Sequence, residues 1–145
     1  MIAAMRTIAP DDAPFEVAGQ TVRPEWIDYN GHMNVAYYVL LFDKALDQVF
    51  DRLGIGVEYV RATNRSVFAL ECHITYVREL SAGDPVRVTW QLLDADEKRL
   101  HYVMEMWHAS AGFRAAVYEQ IALHVDFDGR RASPMPTAAD RKSVV

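Results

Sequence analysis

The chain has 145 residues, a single cysteine and a formal net charge of −5. This length is typical of one domain that buries a core without disulfides, and one cysteine excludes an internal disulfide framework. The acidic balance argues against a nucleic acid partner, and no apolar run is long enough to span a membrane. The first ten residues lack the apolar stretch of a signal peptide, so we expect a cytoplasmic protein.

The chain opens with residues 1–14, which carry two prolines and an acidic pair and are expected to form a flexible leader. Residues 15 to about 23 are interpreted as a short irregular strand, because apolar positions flank a Gly-Gln pair. A polar loop at 28–34 follows. It contains a carboxylate, two amides and an imidazole around a glycine.

Residues 35–53 have polar pairs at 43/44, 47/48 and 51/52 with apolar residues between them, and this four-residue spacing predicts a helix. Its length is about 28 Å at 1.5 Å per residue. The first two turns are apolar nearly all round, so we expect that end of the helix to be enclosed on most sides. Gly54 is placed to end the helix.

Runs with two-residue alternation follow and predict long strands at about 68–77, 86–92, 100–106 and 113–125. The first has one apolar face, on which Cys72 is expected to be a buried structural thiol. Short turns between these strands predict antiparallel pairing. The fold class is therefore α+β: one domain at 15–130, with a five-stranded antiparallel sheet around a long central helix. The tail at 131–145 is expected to be mobile or to lie on the surface.

The loop before the helix suggests chemistry at a carbonyl. Backbone N–H groups at a helix start point towards whatever lies in front of them, and the helix dipole favours negative charge there. Such a loop can bind a carbonyl and attack it. The simpler alternatives are that Asp28 only stabilises a turn and that Asn34 only caps the helix.

This element order and the motif Asp-x-Asn-Gly-His-x-Asn before the helix resemble those of the hotdog-fold thioesterases. Two branches of these enzymes are similar to this chain: the acyl-CoA and 4-hydroxybenzoyl-CoA thioesterases, and the acyl-carrier-protein thioesterases. In the acyl-carrier-protein branch the motif holds catalytic residues, which correspond to Asp28, Asn30, His32 and Asn34. A catalytic glutamate follows a Tyr-x-Arg run in that branch, and residues 76–79 match this run and nominate Glu79. In the 4-hydroxybenzoyl-CoA branch the essential carboxylate lies at the position of Asp28. The loop and segment 119–126 also resemble bacterial betainyl-CoA thioesterases.

Hydrolysis of a thioester requires a carboxylate that activates water or attacks directly, and donors for the developing oxyanion. Asp28 is the candidate base or nucleophile, and N–H groups near residues 31–36 are the candidate donors. His32 would polarise the carbonyl or orient water, and Asn30 and Asn34 would position substrate or water. No metal is expected, because the carbonyl of a thioester is already electrophilic. No cofactor is expected either, because coenzyme A belongs to the substrate. Whether the fold brings Glu79 near the loop is open.

Four aromatic residues surround the loop: Trp26, Tyr29, Tyr37 and Tyr38. They are either an aromatic cage for a quaternary ammonium group or ordinary packing, which is the commoner role. The resemblance implies a homodimer or a dimer of dimers joined edge to edge. Two other functions stay open, a hydratase or dehydratase of the same fold and a non-catalytic acyl-CoA binding module. The acyl group, and the choice between coenzyme A and acyl carrier protein, are also open.

Overall fold

A computed structural model describes residues 14–136. It contains two helices, α1 (Val35–Leu53) and α2 (Val57–Thr63), and a short 3-10 turn at Pro24–Trp26. The strands are β1 (Phe15–Thr21), β2 (Arg65–Tyr76), β3 (Pro85–Ala95), β4 (Arg99–His108), β5 (Arg114–Asp126) and β6 (Arg131–Ala132). Neighbouring strands pair antiparallel in the order β1-β3-β4-β5-β2, and β6 adds to the end of β5. The α+β class is confirmed, with one short and four long antiparallel strands as predicted, and β6 adds a two-residue strand that was not predicted.

Helix α1 begins and ends at the predicted residues because both ends carry their own capping signals. The Asn34 side chain accepts a hydrogen bond from the Ala36 amide at 3.0 Å. Gly54 adopts φ 75°, the left-handed conformation that glycine supplies at low cost. One face of α1 is buried against the sheet and forms the centre of the core, through Leu41, Phe42, Ala45, Leu46, Val49 and Leu53.

The start of α1 is less enclosed than its composition predicts. Val35 is 56% exposed and Val39 is 40% exposed. The expectation that this end is enclosed on most sides is therefore wrong for the single chain. Helix α1 packs against β1 and β3, and β2, at the opposite edge of the sheet, is mostly exposed.

Strand β2 departs from the predicted alternation at a bulge. Ala69 lies opposite Ala122 and Glu71 lies opposite Ile121, so Leu70 is the extra residue. The bulge breaks the single apolar face that the alternation predicts, because it changes the side of the sheet on which the following side chains lie. Cys72 is exposed rather than buried, since it lies on β2, a mostly exposed strand at the edge of the sheet.

Two short elements have no clear periodic signal in the sequence and were not predicted: α2 and β6. Beyond β6, Met135 is 7% exposed and the Ser133 amide bonds to the His124 carbonyl at 3.0 Å. Residues 131–136 therefore belong to the folded unit rather than to a loose tail. The expected leader, apart from residue 14, and the rest of the tail lie outside the described residues. Across residues 14–136, neither helix has the length and apolar character to cross a bilayer.

Candidate active site

The loop before α1 is closed by its own backbone. The Asp28 amide donates to the His32 carbonyl at 3.1 Å, and the Gly31 amide donates to the Asp28 carbonyl at 3.0 Å. Gly31 has φ 81°, a conformation that residues with a side chain rarely adopt. This compact turn places the side chains of residues 28–32 in front of the helix.

The Asp28 carboxylate is held on both sides. Its Oδ1 accepts the Asn30 amide at 2.8 Å, and its Oδ2 lies 3.4 Å from Asn34 Nδ2. The turn-stabilising role considered for Asp28 is therefore present, and so is the capping role of Asn34. Asp28 keeps its turn-stabilising role and still lines an open cavity, because the residue is only half-buried.

That cavity has a volume of about 280 Å³. It brings together residues from the loop, the start of α1 and the segment after β2. The lining residues are Asp28, Asn30, His32, Met33, Val35, Tyr38, Tyr76, Val77, Arg78 and Glu79. Of the five candidate catalytic residues, four line the cavity, and Asn34 lies behind them, bonded to Asp28 and to the helix.

The fold brings Glu79 to the loop through its neighbour Leu80. Leu80 is fully buried, its amide donates to the Tyr38 hydroxyl at 3.2 Å and its carbonyl accepts the Met33 amide at 2.9 Å. Burial raises the pKa of Tyr38, so this hydroxyl stays protonated. As a result Glu79 Oε1 lies 3.8 Å from His32 Nε2.

The helix start provides donors, but most of its amides are used within the loop. The Ala36 amide bonds to the Asn34 side chain and the Tyr37 amide to the Asn34 carbonyl. The Val35 amide has no acceptor among residues 14–136, and Val35 lines the cavity. The His32 amide likewise has no acceptor there and His32 also lines the cavity, so these two of the expected donors at residues 31–36 are not used within the described residues.

The four loop aromatics do not form a cage within one chain. Trp26 is buried and stacks on Tyr37 with 5.2 Å between ring centroids, and Tyr29 is 97% exposed. Only Tyr38 lines the cavity, and its ring meets the edge of Tyr76 at 5.2 Å. Sequence reasoning missed Tyr76 as a lining residue, although it belongs to the run that nominated Glu79.

Comparison with known proteins places this architecture in a family. Residues 22–142 match the family described as the thioesterase-like superfamily. A betainyl-CoA thioesterase from Pseudomonas aeruginosa is 41% identical over 113 residues, which are 78% of this chain and 71% of that protein. A Rhizobium meliloti protein named L-carnitine dehydrogenase/betainyl-CoA thioesterase is 35% identical over 123 residues, which are 85% of this chain and 25% of that protein.

A solved structure shares this fold. A hypothetical protein from Staphylococcus aureus, determined in complex with CoA, superposes with a TM-score of 0.81 and 30% identity. The match covers 91% of this chain and 81% of that one. The match to the family model extends over most of the chain, and it includes the loop, α1 and the glutamate after β2. The chain therefore belongs to the thioesterase-like superfamily and is a hotdog-fold thioester hydrolase.

Proposed function

We propose that this protein hydrolyses the coenzyme A thioester of a short, positively charged acyl group, such as betainyl-CoA. The observation that carries the proposal is the convergence of two carboxylates, Asp28 and Glu79, on one small cavity at the start of α1. The betainyl-CoA thioesterase from Pseudomonas aeruginosa supports the choice of acyl group.

Asp28 supplies the reactive carboxylate. Its hydrogen bonds to Asn30 and Asn34 hold it in place while it activates a water molecule or attacks the carbonyl itself. The carbonyl oxygen becomes negative and accepts the Val35 N–H; one such donor lowers the barrier by about 3–4 kcal/mol. The acyl carbon gains an oxygen from water, the carbon–sulfur bond breaks, and the thiolate leaves. This reaction requires no resident metal or cofactor.

His32 and Glu79 act together beside Asp28. Their contact of 3.8 Å orients the imidazole towards the cavity, where it positions water or polarises the carbonyl. Asn30 offers an uncharged donor and acceptor at the cavity wall for the same purpose.

The cavity also suits a cation. Asp28 and Glu79 provide negative charge, and the Tyr76 ring, which is 45% exposed, provides a face that attracts a quaternary ammonium group by about 0.5–2 kcal/mol. The small volume of about 280 Å³ suits a short acyl group better than a long chain. In this proposal Tyr76, with Tyr38 packed against it, takes the place of the four loop aromatics that were considered as a cage.

The working form is a homodimer, or a dimer of such dimers, joined along β2. This strand has 12 residues, lies at the edge of the sheet and exposes Phe68 and Leu70. Long apolar edges of this kind are normally paired or covered. We place the protein in the cytoplasm, where a single cysteine such as Cys72 stays reduced.

Substitution of Asp28 tests the hydrolytic role. In Asp28→Asn the side-chain oxygen still accepts the Asn30 amide, so the loop stays folded, but no base remains. We expect thiol release from betainyl-CoA to fall by about 10²- to 10⁴-fold. Asp94→Asn is the matched control, because the Asp94 carboxylate also accepts a neighbouring amide, far from the cavity. An active Asp28→Asn enzyme would contradict the role of the carboxylate. Hydration of an enoyl-CoA without thiol release would instead indicate the hydratase alternative.

A pair of substrates tests the positive charge. Betainyl-CoA and 3,3-dimethylbutanoyl-CoA have the same shape, but only the first has a cationic nitrogen in place of the quaternary carbon. We expect kcat/KM for betainyl-CoA to be higher by about tenfold or more, which is about 1.4 kcal/mol. Equal values would refute a cationic acyl group and leave thioester hydrolysis in place.

A further inference from the structure

A histidine outside the cavity, His108 at the end of β4, lies next to the segment that carries Glu79. His108 is 9% exposed and lies outside the residues that line the cavity. Its Nδ1 accepts the amides of Ala111 at 2.9 Å and Ser110 at 3.3 Å, in the turn between β4 and β5. Because Nδ1 accepts hydrogen bonds, the ring proton lies on Nε2.

The other ring nitrogen, Nε2, lies near the loop that follows β2. His108 Nε2 lies 3.4 Å from Asp84 Oδ1, and Asp84 Oδ2 accepts the Ser81 amide at 2.8 Å. Ser81 follows Leu80, the buried residue whose backbone is bonded to Tyr38 and Met33. The carboxylate of Asp84 thus connects His108 to one end of the run 78–81.

The same ring supports the other end of the run. The His108 and Phe113 rings have their centroids 5.0 Å apart. The Arg78 guanidinium lies over Phe113, 4.0 Å from the ring centroid. Arg78 and Ser81 flank Glu79 and Leu80, so both ends of the run are linked to His108.

We propose that His108 is a positioning residue for hydrolysis, which acts through Asp84 and Phe113 to hold Glu79 opposite His32. This inference rests on the proposed function, because the role of Glu79 is itself proposed there. The side chains of His32 and Glu79 are 46% and 61% exposed, so their own packing does not fix the contact. Placement of the backbone at residues 78–81 determines it instead.

Two substitutions of His108 separate positioning from simple stability. In His108→Asn the side-chain oxygen replaces Nδ1 and keeps the turn amides bonded, but nothing reaches Asp84. In His108→Gln the longer amide replaces Nε2 and still reaches Asp84. We expect kcat to fall by about 10- to 100-fold in His108→Asn with little change in KM, and to stay within about threefold of the parent in His108→Gln. Equal kcat values in the two variants would overturn the inference.

A double-mutant cycle shows whether His108 acts through Glu79. We expect Glu79→Gln to lower kcat, and His108→Asn to cause no further fall in the Glu79→Gln background. Effects that multiply would overturn the inference. His101→Asn is the matched control, because His101, further along β4, pairs with Glu119 of β5 at 2.6 Å and neither residue lines the cavity. If Glu79→Gln leaves kcat unchanged, the inference fails, while the loss of activity in Asp28→Asn decides separately whether the hydrolytic proposal stands.

Hydrogen exchange provides a readout that does not depend on turnover. The Leu80 and Ser81 amides are bonded to Tyr38 and Asp84, so they report directly on the run. We expect faster exchange of a peptide covering 78–84 in His108→Asn and near-parent exchange in His108→Gln. Unchanged exchange in His108→Asn would show that His108 does not hold this segment.

Discussion

At the scale of single residues, Asn34 has two functions that its position makes compatible. Its side-chain oxygen caps α1 through the Ala36 amide, and its side-chain nitrogen faces Asp28 Oδ2 at 3.4 Å. An amide is the side chain that offers an acceptor and a donor at once. The cap therefore couples the position of the helix to the orientation of the proposed catalytic carboxylate.

Replacement of Asn34 by serine or alanine separates these two functions. Serine keeps a capping oxygen but has no nitrogen to reach Asp28, and alanine has neither. We expect Asn34→Ala to lose about 1 kcal/mol of unfolding free energy and Asn34→Ser to lose much less. We expect kcat to fall in both variants by a similar factor, measured by thiol release. Full activity in Asn34→Ser would show that the contact with Asp28 has no catalytic role.

At the scale of elements, a buried histidine joins α2, β5 and the segment after β6. His124 Nε2 lies 2.6 Å from the Tyr59 hydroxyl, and its Nδ1 lies 2.9 Å from the Ser133 carbonyl. Burial lowers the pKa of His124, and Arg65 lowers it further, while the bond to Ser133 and the charge of Asp126 oppose the shift. The folded state therefore favours the neutral ring, which bonds to both partners.

This shift predicts a dependence of stability on pH. Below about pH 6.5, the value for an exposed histidine, the unfolded chain binds a proton that folded His124 resists. We therefore expect the contribution of His124 to be fully present above that pH and to be lost as the pH falls towards the lowered pKa. The check is thermal unfolding between pH 5 and 8: Tm should fall less steeply on acidification in His124→Gln than in the parent. His73→Gln, at an exposed position on β2, should keep the parent slope.

At the scale of the whole molecule, β2 is the surface that a second copy would cover. The exposed start of α1 faces solvent through Val35 and Val39, and the edge strand exposes Phe68 and Leu70. The two features together leave both the edge of the sheet and the mouth of the proposed site partly open. A second copy paired along β2 would close both.

A lysine at the β2 bulge tests this assembly. Leu70 is the extra residue of the bulge in β2, and Leu93 is the extra residue of the bulge in β3. They are 55% and 40% exposed, which makes them a matched pair. We expect Leu70→Lys to produce a monomer in analytical ultracentrifugation and to lose activity, because charge at a paired apolar edge opposes association. Leu93→Lys should leave both the mass and the activity unchanged. A parent protein that is monomeric at micromolar concentration would refute the dimer.

The sequence by itself determined the features that depend on neighbouring residues. The polar spacing of residues 35–53, the cap at Asn34 and the glycine at position 54 define α1 without help from the rest of the chain. The polar motif at 28–34 is equally local, so four of the candidate site residues were named from it. The alternating runs also indicated the long strands, because side-chain direction in a strand follows the backbone.

Only the tertiary structure decided what depends on distant contacts. The Glu79 side chain lies 3.8 Å from His32 because the backbone of Leu80 is hydrogen-bonded to Tyr38 and Met33, which lie far from it in the chain. Cys72 is exposed because β2 lies at the edge of the sheet. The bulge at Leu70 can be recognised only from the register of β2 against β5. Strand order and register arise from packing between remote segments, and periodicity along one segment contains no information about which partner it meets.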